Sequence, residues 1–326
     1  MANDIIGFLP PFVVNNSNPI LPLSETFSWG LNKFKIPDLH DRGITGKGIK
    51  IGILDTGVQI DHPDLVIAGS YDMSGNNPSD TVGHGTHVAG IIGARMNDKG
   101  VRGVAPDAEL YTYKVLPDGS GKIEYIVKGI QKAVEDGMQI INMSLGAASE
   151  QDILPLKEAC DYAASKGVII MCAAGNDGRE EREQPAAYDS VYAVGSITEA
   201  LQVSDFSSYG KHLDIVAPGS KIVSTYIGSR YAILSGTSMA TPFASGCIAL
   251  MMQAGVKITY EEVTTSTIDL LDPHWDMTSG YGAISPSIAI NRLGAPVQDP
   301  GIPKQIIIKH IATIQKALLE ISDILK

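Results

Sequence analysis

The chain has 326 residues, enough for one large domain or two ordinary ones with ample core. Its composition is globular, with 44% hydrophobic and 19% charged residues. Lys and Arg number 25 against 36 Asp and Glu, a net charge of −11 with no basic run to offset it, which argues against a nucleic-acid partner. Three widely spaced cysteines (Cys160, Cys172, Cys247) show neither CxxC nor zinc spacing, which argues against a disulfide framework and fits a reducing compartment.

Residues 1–24 read as an irregular arm rich in Pro and Asn. Its apolar run "IIGFLPPFVV" is broken by Pro10 and Pro11, and no basic segment precedes it, so it does not read as a signal peptide. No segment approaches a membrane span, and the expected location is the cytoplasm. A strand-then-helix rhythm then begins. "IKIGILD" (49–55) predicts a buried strand and "THVAGIIGA" (86–94) a helix of small residues. "ELYTYKVL" (109–116) predicts a strand and "IEYIVKGIQKAVEDG" (123–137) an amphipathic helix closed by glycine. "QIINMS" (139–144), "VIIMCAA" (168–174), "VYAVGS" (191–196) and "LDIVAP" (213–218) predict further strands, with a helix over 152–167. This alternation predicts an α/β fold over 25–293 with a mostly parallel sheet covered on both faces. Residues 294–303 read as a linker. In 304–326 the spacing of Ile307, Ile311, Ile314, Leu318, Ile321 and Leu325 predicts an amphipathic helix with a heptad seam. That seam suits docking on the same chain or pairing with a second copy in a homodimer.

"GTSMATP" (236–242) puts Ser238 where a loop meets a helix of small apolar residues, with Pro242 read as lying in the first turn, where a missing N–H costs nothing. Such a serine is either an N-cap or a nucleophile served by the helix dipole. Functional residues of parallel sheets gather beyond the carboxyl ends of the strands. Asp55 in "DTG", Ser144 in "NMSLG" and Asn176 in "AAGNDG" end three strands, and His84 in "GHGTHVAG" opens a helix. Acid, base, nucleophile and side-chain amide are the parts of acyl-transfer catalysis. His84 and His87 are spaced i, i+3 without a glutamate, unlike the zinc-protease pattern.

With "ILDTGVQIDHPDL", "GHGTHVAGII", "GVAPDAELYTYKVL", "INMSLG", "AAGNDG", "FSSYG", "DIVAPG" and "GTSMATP", the sequence resembles the subtilases, the subtilisin-type serine proteases, over roughly residues 45–290. The resemblance implies a three-layer α/β fold and a serine endopeptidase acting on peptide or protein substrates. Asp55, His84 and Ser238 would form the triad in chain order, and Asn176 would be the oxyanion donor. Ser120, Gly121 and Lys122 on one side, and Ser144, Leu145 and Gly146 on the other, would bind an extended peptide. It also implies a Ca²⁺ ion held by side chains of Asp64 and Asn97 and by carbonyls of Arg95, Lys99 and Val101. A weaker cation site would use Asp214 with the carbonyls of Ala186, Tyr188 and Val191. The short arm with "FLPPFVV" and the stretch "REEREQPAAYDSV" are similar to the intracellular subtilisins, in which a short N-terminal extension lies across the active site until it is removed. "REEREQ" would contribute to the main specificity pocket, with Asp177 and Glu183 nearest; it is either a carboxylate-lined pocket favouring a basic residue or a solvated acidic loop. Three functions stay open: a broad endopeptidase, a dedicated processing protease for one peptide precursor, and a non-catalytic peptide-binding module.

Overall fold

The computed structural model describes residues 6–294, apart from 12, 17–23, 76, 150 and 272. One compact unit runs to Ile290 and a second starts at Asn291. The expected linker and heptad helix of 294–326 lie almost wholly outside the described residues.

In chain order the elements are β1 (Ile6–Phe8), β2 (Val13–Asn16), α1 (Trp29–Lys33), α2 (Ile36–Asp41), β3 (Lys50–Asp55), β4 (Ile67–Asp72), α3 (His84–Gly93), β5 (Glu109–Lys114), β6 (Ser120–Lys122), α4 (Ile123–Glu135), β7 (Ile140–Met143) and β8 (Ala147–Ala148). There follow α5 (Leu154–Ser165), β9 (Ile169–Ala173), β10 (Glu183–Gln184), β11 (Tyr192–Ile197), β12 (Leu213–Pro218), β13 (Ile222–Tyr226), β14 (Arg230–Ser235), α6 (Thr237–Gln253), α7 (Tyr260–Thr265), β15 (Thr267–Ile268), β16 (Ala283–Ile284) and α8 (Pro286–Gly294). Nine strands form one sheet in the order β15-β16-β12-β11-β9-β7-β3-β5-β4. Its pairs are parallel, save the β15–β16 hairpin at one edge.

The alternation of β3 sorts the helices into layers. Gly52 and Leu54 face α4: a Cβ on Gly52 would touch Ala133, and one on Gly129 would touch Leu54. Ile51, Ile53 and Asp55 therefore face the other way, where α3 and α6 pack on each other. α4 and α5 pair on the opposite face, so the expected three layers are present. The central strands are buried on both faces, which is why they read as unbroken apolar runs.

α6 is buried from Thr237 through Met251 and forms the spine of its layer. Pro242 lies inside this helix, one turn deeper than the sequence suggested. Its missing N–H deprives the carbonyl of Ser238 of a helical donor. The hydroxyl of Ser144 donates to that carbonyl instead, at 2.9 Å. In the arm, whose prolines favour extended backbone in the residues before them, β1 pairs with β6 and β2 pairs with β14, both antiparallel.

Candidate active site

Asp55 ends β3 and His84 opens α3, so the strand's carboxyl end meets the helix's first residue. The imidazole Nδ1 lies 2.8 and 3.0 Å from the two carboxylate oxygens, with both side chains essentially out of solvent. Gly85 permits this approach, because a Cβ there would stand 2.1 Å from the carbonyl of Gly57. Asp80, which sequence reasoning missed, anchors the helix start. Its carboxylate accepts from the N–H groups of Val82, Gly83 and Thr86 and from the hydroxyls of Thr56 and Thr86. A carboxylate is favoured there by the helix dipole. Thr56 in turn accepts from the N–H of Gly85 at 2.9 Å. The only advance sign of this role was an acid four residues before His84. His87 takes no part in the pair. Burial pushes its imidazole down to about 3, and its Nε2 donates to the carbonyl of Ala232 at 3.1 Å.

Ser238 occupies the first turn of α6, where backbone N–H groups lack intrahelical partners. Its hydroxyl donates to the carbonyl of Ser144 at 3.4 Å. Asn176 lies just past β9. Its side-chain oxygen accepts from the N–H and hydroxyl of Thr237 at 2.8 and 2.9 Å. Those two bonds fix which end of the amide is the donor end. Thr237 is a second residue the motif reading overlooked.

The donor end holds a peptide carbonyl: Nδ2 of Asn176 donates to Pro11 of the chain's own arm at 2.8 Å. β1 reaches this point as the middle strand of three. On one side Ile6, Gly7 and Phe8 oppose Lys122, Gly121 and Ser120. On the other, Phe8 exchanges both backbone bonds with Gly146, at 2.7 and 2.9 Å. The two edges named from the sequence thus flank one extended strand. Antiparallel pairing advances by two, so Pro10 comes opposite Ser144. Proline has no N–H to give that carbonyl, and the carbonyl at Asn176 belongs to the next residue along.

Asp64 is 2% exposed. It accepts from Val101 N–H at 2.8 Å, from the Asn97 amide at 3.0 Å and from the Tyr231 hydroxyl at 3.3 Å. Arg95 N–H donates to the Asp64 carbonyl, and Lys99 N–H to the Asn97 side chain. The five residues of the expected cage therefore share one loop cluster. Glu25, not anticipated, joins it by accepting from Asn97 N–H at 3.1 Å, and its other oxygen pairs with Arg102. Burial raises the Asp64 carboxyl above its usual range. At the second candidate site, Asp214 accepts from Ala193 N–H at 2.8 Å and from Tyr260 at 2.7 Å. Nearby, Tyr188 N–H donates to Pro185, and the Tyr188 carbonyl accepts from Val191 N–H. Burial pushes Asp214 up to about 6. Among the described residues no cluster of three or more His, Cys, Asp or Glu stands ready for a metal.

Residues 46–282 match the subtilase family, Peptidase_S8. Subtilisin BL of Lederbergia lenta is 46% identical over 233 residues, covering 71% of this chain and 86% of that protein. The major intracellular serine protease of Bacillus subtilis (strain 168) is 45% identical over 258 residues, 74% of this chain and 79% of that protein. An alkaline protease of Alkalihalobacillus alcalophilus is 45% identical over 237 residues, which cover 72% of this chain but only 62% of that relative's length. The chain belongs to the subtilase family.

Proposed function

We propose that this protein is a serine endopeptidase of the cell interior whose N-terminal arm occupies and blocks its own active site. The observation that carries the reading is the hydrogen bond from Asn176 to a carbonyl of a strand paired on both edges beside Ser238. In a substrate so bound, Ser238 Oγ attacks the carbonyl carbon and its proton passes to Nε2 of His84. Asp55, on Nδ1, holds the ring in place and stabilises the imidazolium. The oxyanion takes hydrogen bonds from Asn176 Nδ2 and the backbone N–H of Ser238. Collapse breaks the C–N bond as His84 returns the proton to the leaving amine. Water, deprotonated by the same imidazole, then releases the acyl group from Ser238.

Inhibition by the arm rests on register. Pro10 cannot supply the N–H that would align it on Ser144, and the strand runs on so that Pro11 reaches Asn176 instead. The kinship with a protease described as intracellular supports the cellular location. Calcium fits the Asp64 loop: the donors are hard oxygens, and the buried carboxylate has no cation against it among the described residues. A bound ion would tie Asp64 to the loop of Asn97 and supply stability rather than chemistry. The Asp214 site is a weaker case: beside Asp214 it offers only backbone carbonyls, one of which, Tyr188, already accepts from Val191 N–H.

The test is labelling with a fluorophosphonate probe. A chain lacking residues 1–18 should label rapidly at Ser238, the full chain at least several-fold more slowly, and Ser238→Ala not at all. Turnover in Ser238→Ala should fall by about 10⁶-fold, a figure taken from the equivalent substitution in subtilisin. Equal labelling of both lengths from the first minutes would sink the blocking role. Failure of the folded, shortened chain to label would sink the enzyme.

A further inference from the structure

β10 is only two residues long, yet it sets a carboxylate in the site. Glu183 and Gln184 pair antiparallel with Ala148 and Ala147, the residues that follow the substrate-binding edge. The Glu183 side chain turns into the gap between that edge and the end of β9. Its two oxygens touch opposite walls. A Cβ on Gly146 would stand 1.8 Å from Oε1, and one on Gly175 would stand 2.4 Å from Oε2. Gly146 is the residue that grips the arm, and Gly175 precedes the oxyanion donor Asn176. The carboxylate therefore forms the floor of the slot flanked by the two groups that position a substrate strand.

This carboxylate is 5% exposed, and among the described residues no donor bonds to it and no cation pairs with it. Its acidic neighbours are provided for: Arg179 reaches Asp177 at 3.1 Å and Glu181 at 3.3 Å, and the Ser208 hydroxyl donates to Glu181. Burial, with the charges of Glu181 and Asp177, pushes Glu183 up to about 8. A buried carboxylate without a partner is costly, and proteins retain one where a ligand completes it.

We propose that Glu183 is the specificity-determining residue of this site and selects lysine or arginine at the residue whose carbonyl is attacked. The proposal rests on the endopeptidase reading above and names its substrate class. A side chain leaving the backbone at the Asn176-bound carbonyl descends between the 144–148 and 174–177 segments, and Glu183 lies at their base. A long aliphatic stem would fill the slot and bring its cation to the carboxylate. The arm is consistent with this selection by omission. Residues 1–24 contain neither Lys nor Arg, and prolines stand where the slot would be filled. The blocking strand thus lacks the one group that would make it a good substrate.

The experiment uses the full chain at pH 9, where Glu183 is ionised. Peptides identical except for Arg, Lys, Gln, Leu or Phe before the cut are compared by kcat/KM. A competing arm scales all these rates alike, so their ratios report the slot itself. Arg and Lys should exceed Leu and Phe at least tenfold, and Glu183→Gln, nearly isosteric, should abolish or reverse the preference. A preference for Phe or Leu in the wild type, or a ratio unmoved by Glu183→Gln, overturns the proposal. Should no peptide be cut, the labelling of the shortened chain described above separates a complete block by the arm from failure of the endopeptidase reading, and benzamidine binding by calorimetry still decides the slot. At least tenfold weaker binding to Glu183→Gln supports the cation site, and equal binding overturns it.

Discussion

Ser144 works on two chains of atoms at once. Its hydroxyl replaces the helical donor that Pro242 cannot provide, while its carbonyl faces both Ser238 and the passing arm. Ser144→Ala should therefore cost about 1–3 kcal/mol, the penalty of leaving the buried Ser238 carbonyl unmet. Pro242→Ala supplies the absent N–H, so the double variant should recover much of that loss. Denaturant midpoints of the four chains would measure the coupling, and strict additivity would show that the two residues are unrelated. Glu183 makes a different demand. Its folded carboxyl titrates near 8 against about 4.5 when exposed, so the native state holds the extra proton between those values. Stability from this group is thus fullest below pH 4.5 and declines as pH rises to 8. Glu183→Gln should be progressively more stable than wild type over that window, with an upper bound on the order of 5 kcal/mol above it. A difference independent of pH would contradict the burial argument.

At the scale of elements, legibility followed burial. β3, β7, β9 and β12 lie between two helical layers and announce themselves as apolar runs. β4 at the sheet edge, "IAGSYD", is half-exposed and mixed in composition, and it went unread. The β13–β14 hairpin is the exception: it is largely buried, but Ser224 and Thr225 interrupt its apolar run because their hydroxyls donate to the carbonyls of His87 and Thr86 in α3, and it too was missed. The arm's strands carry only one local sign, the prolines that push the residues before them toward extended backbone. They are strands because the edges at 120–122, at 146 and along β14 supply partners. The same contrast divides the site. Asp55, His84, Asn176 and Ser238 sit in glycine-flanked motifs whose spacing is readable. Asp80, Thr237 and Glu25 act through contacts that only folding creates, as when Glu25 meets Asn97, 72 residues away. For the arm, register is the testable element. Pro10→Ala restores an N–H opposite Ser144 and should let the strand align as a substrate. Mass spectrometry of the purified chain should then find cleavage within residues 6–16 well ahead of wild type. An arm that survives intact in a Pro10→Ala enzyme still active on added peptides would refute the register argument.

For the whole molecule, an ion on the Asp64 loop would join residues far apart in sequence: the loop of Asn97 to Val101, the Glu25 segment, and β14 through Tyr231. A ligand bound only by the native chain stabilises it by mass action. Chelator should therefore lower Tm, and Asp64→Ala should remove the response to calcium. A melting curve indifferent to both would eliminate the loop as a cation site. The two-strand grip of the arm carries a further consequence, for dose. β1 is held by the 120–122 and 146 edges and β2 by β14, and in the reading proposed above the stretch between Asn16 and Ser24 joins the blocking strands to the rest of the chain. A cut in that stretch would not by itself free the enzyme. It would turn a tethered blocker, at an effective concentration on the order of millimolar, into a diffusible peptide. Latency after cutting would then depend on how much protein is present. A crowded preparation would stay quiet, and simple dilution would wake it.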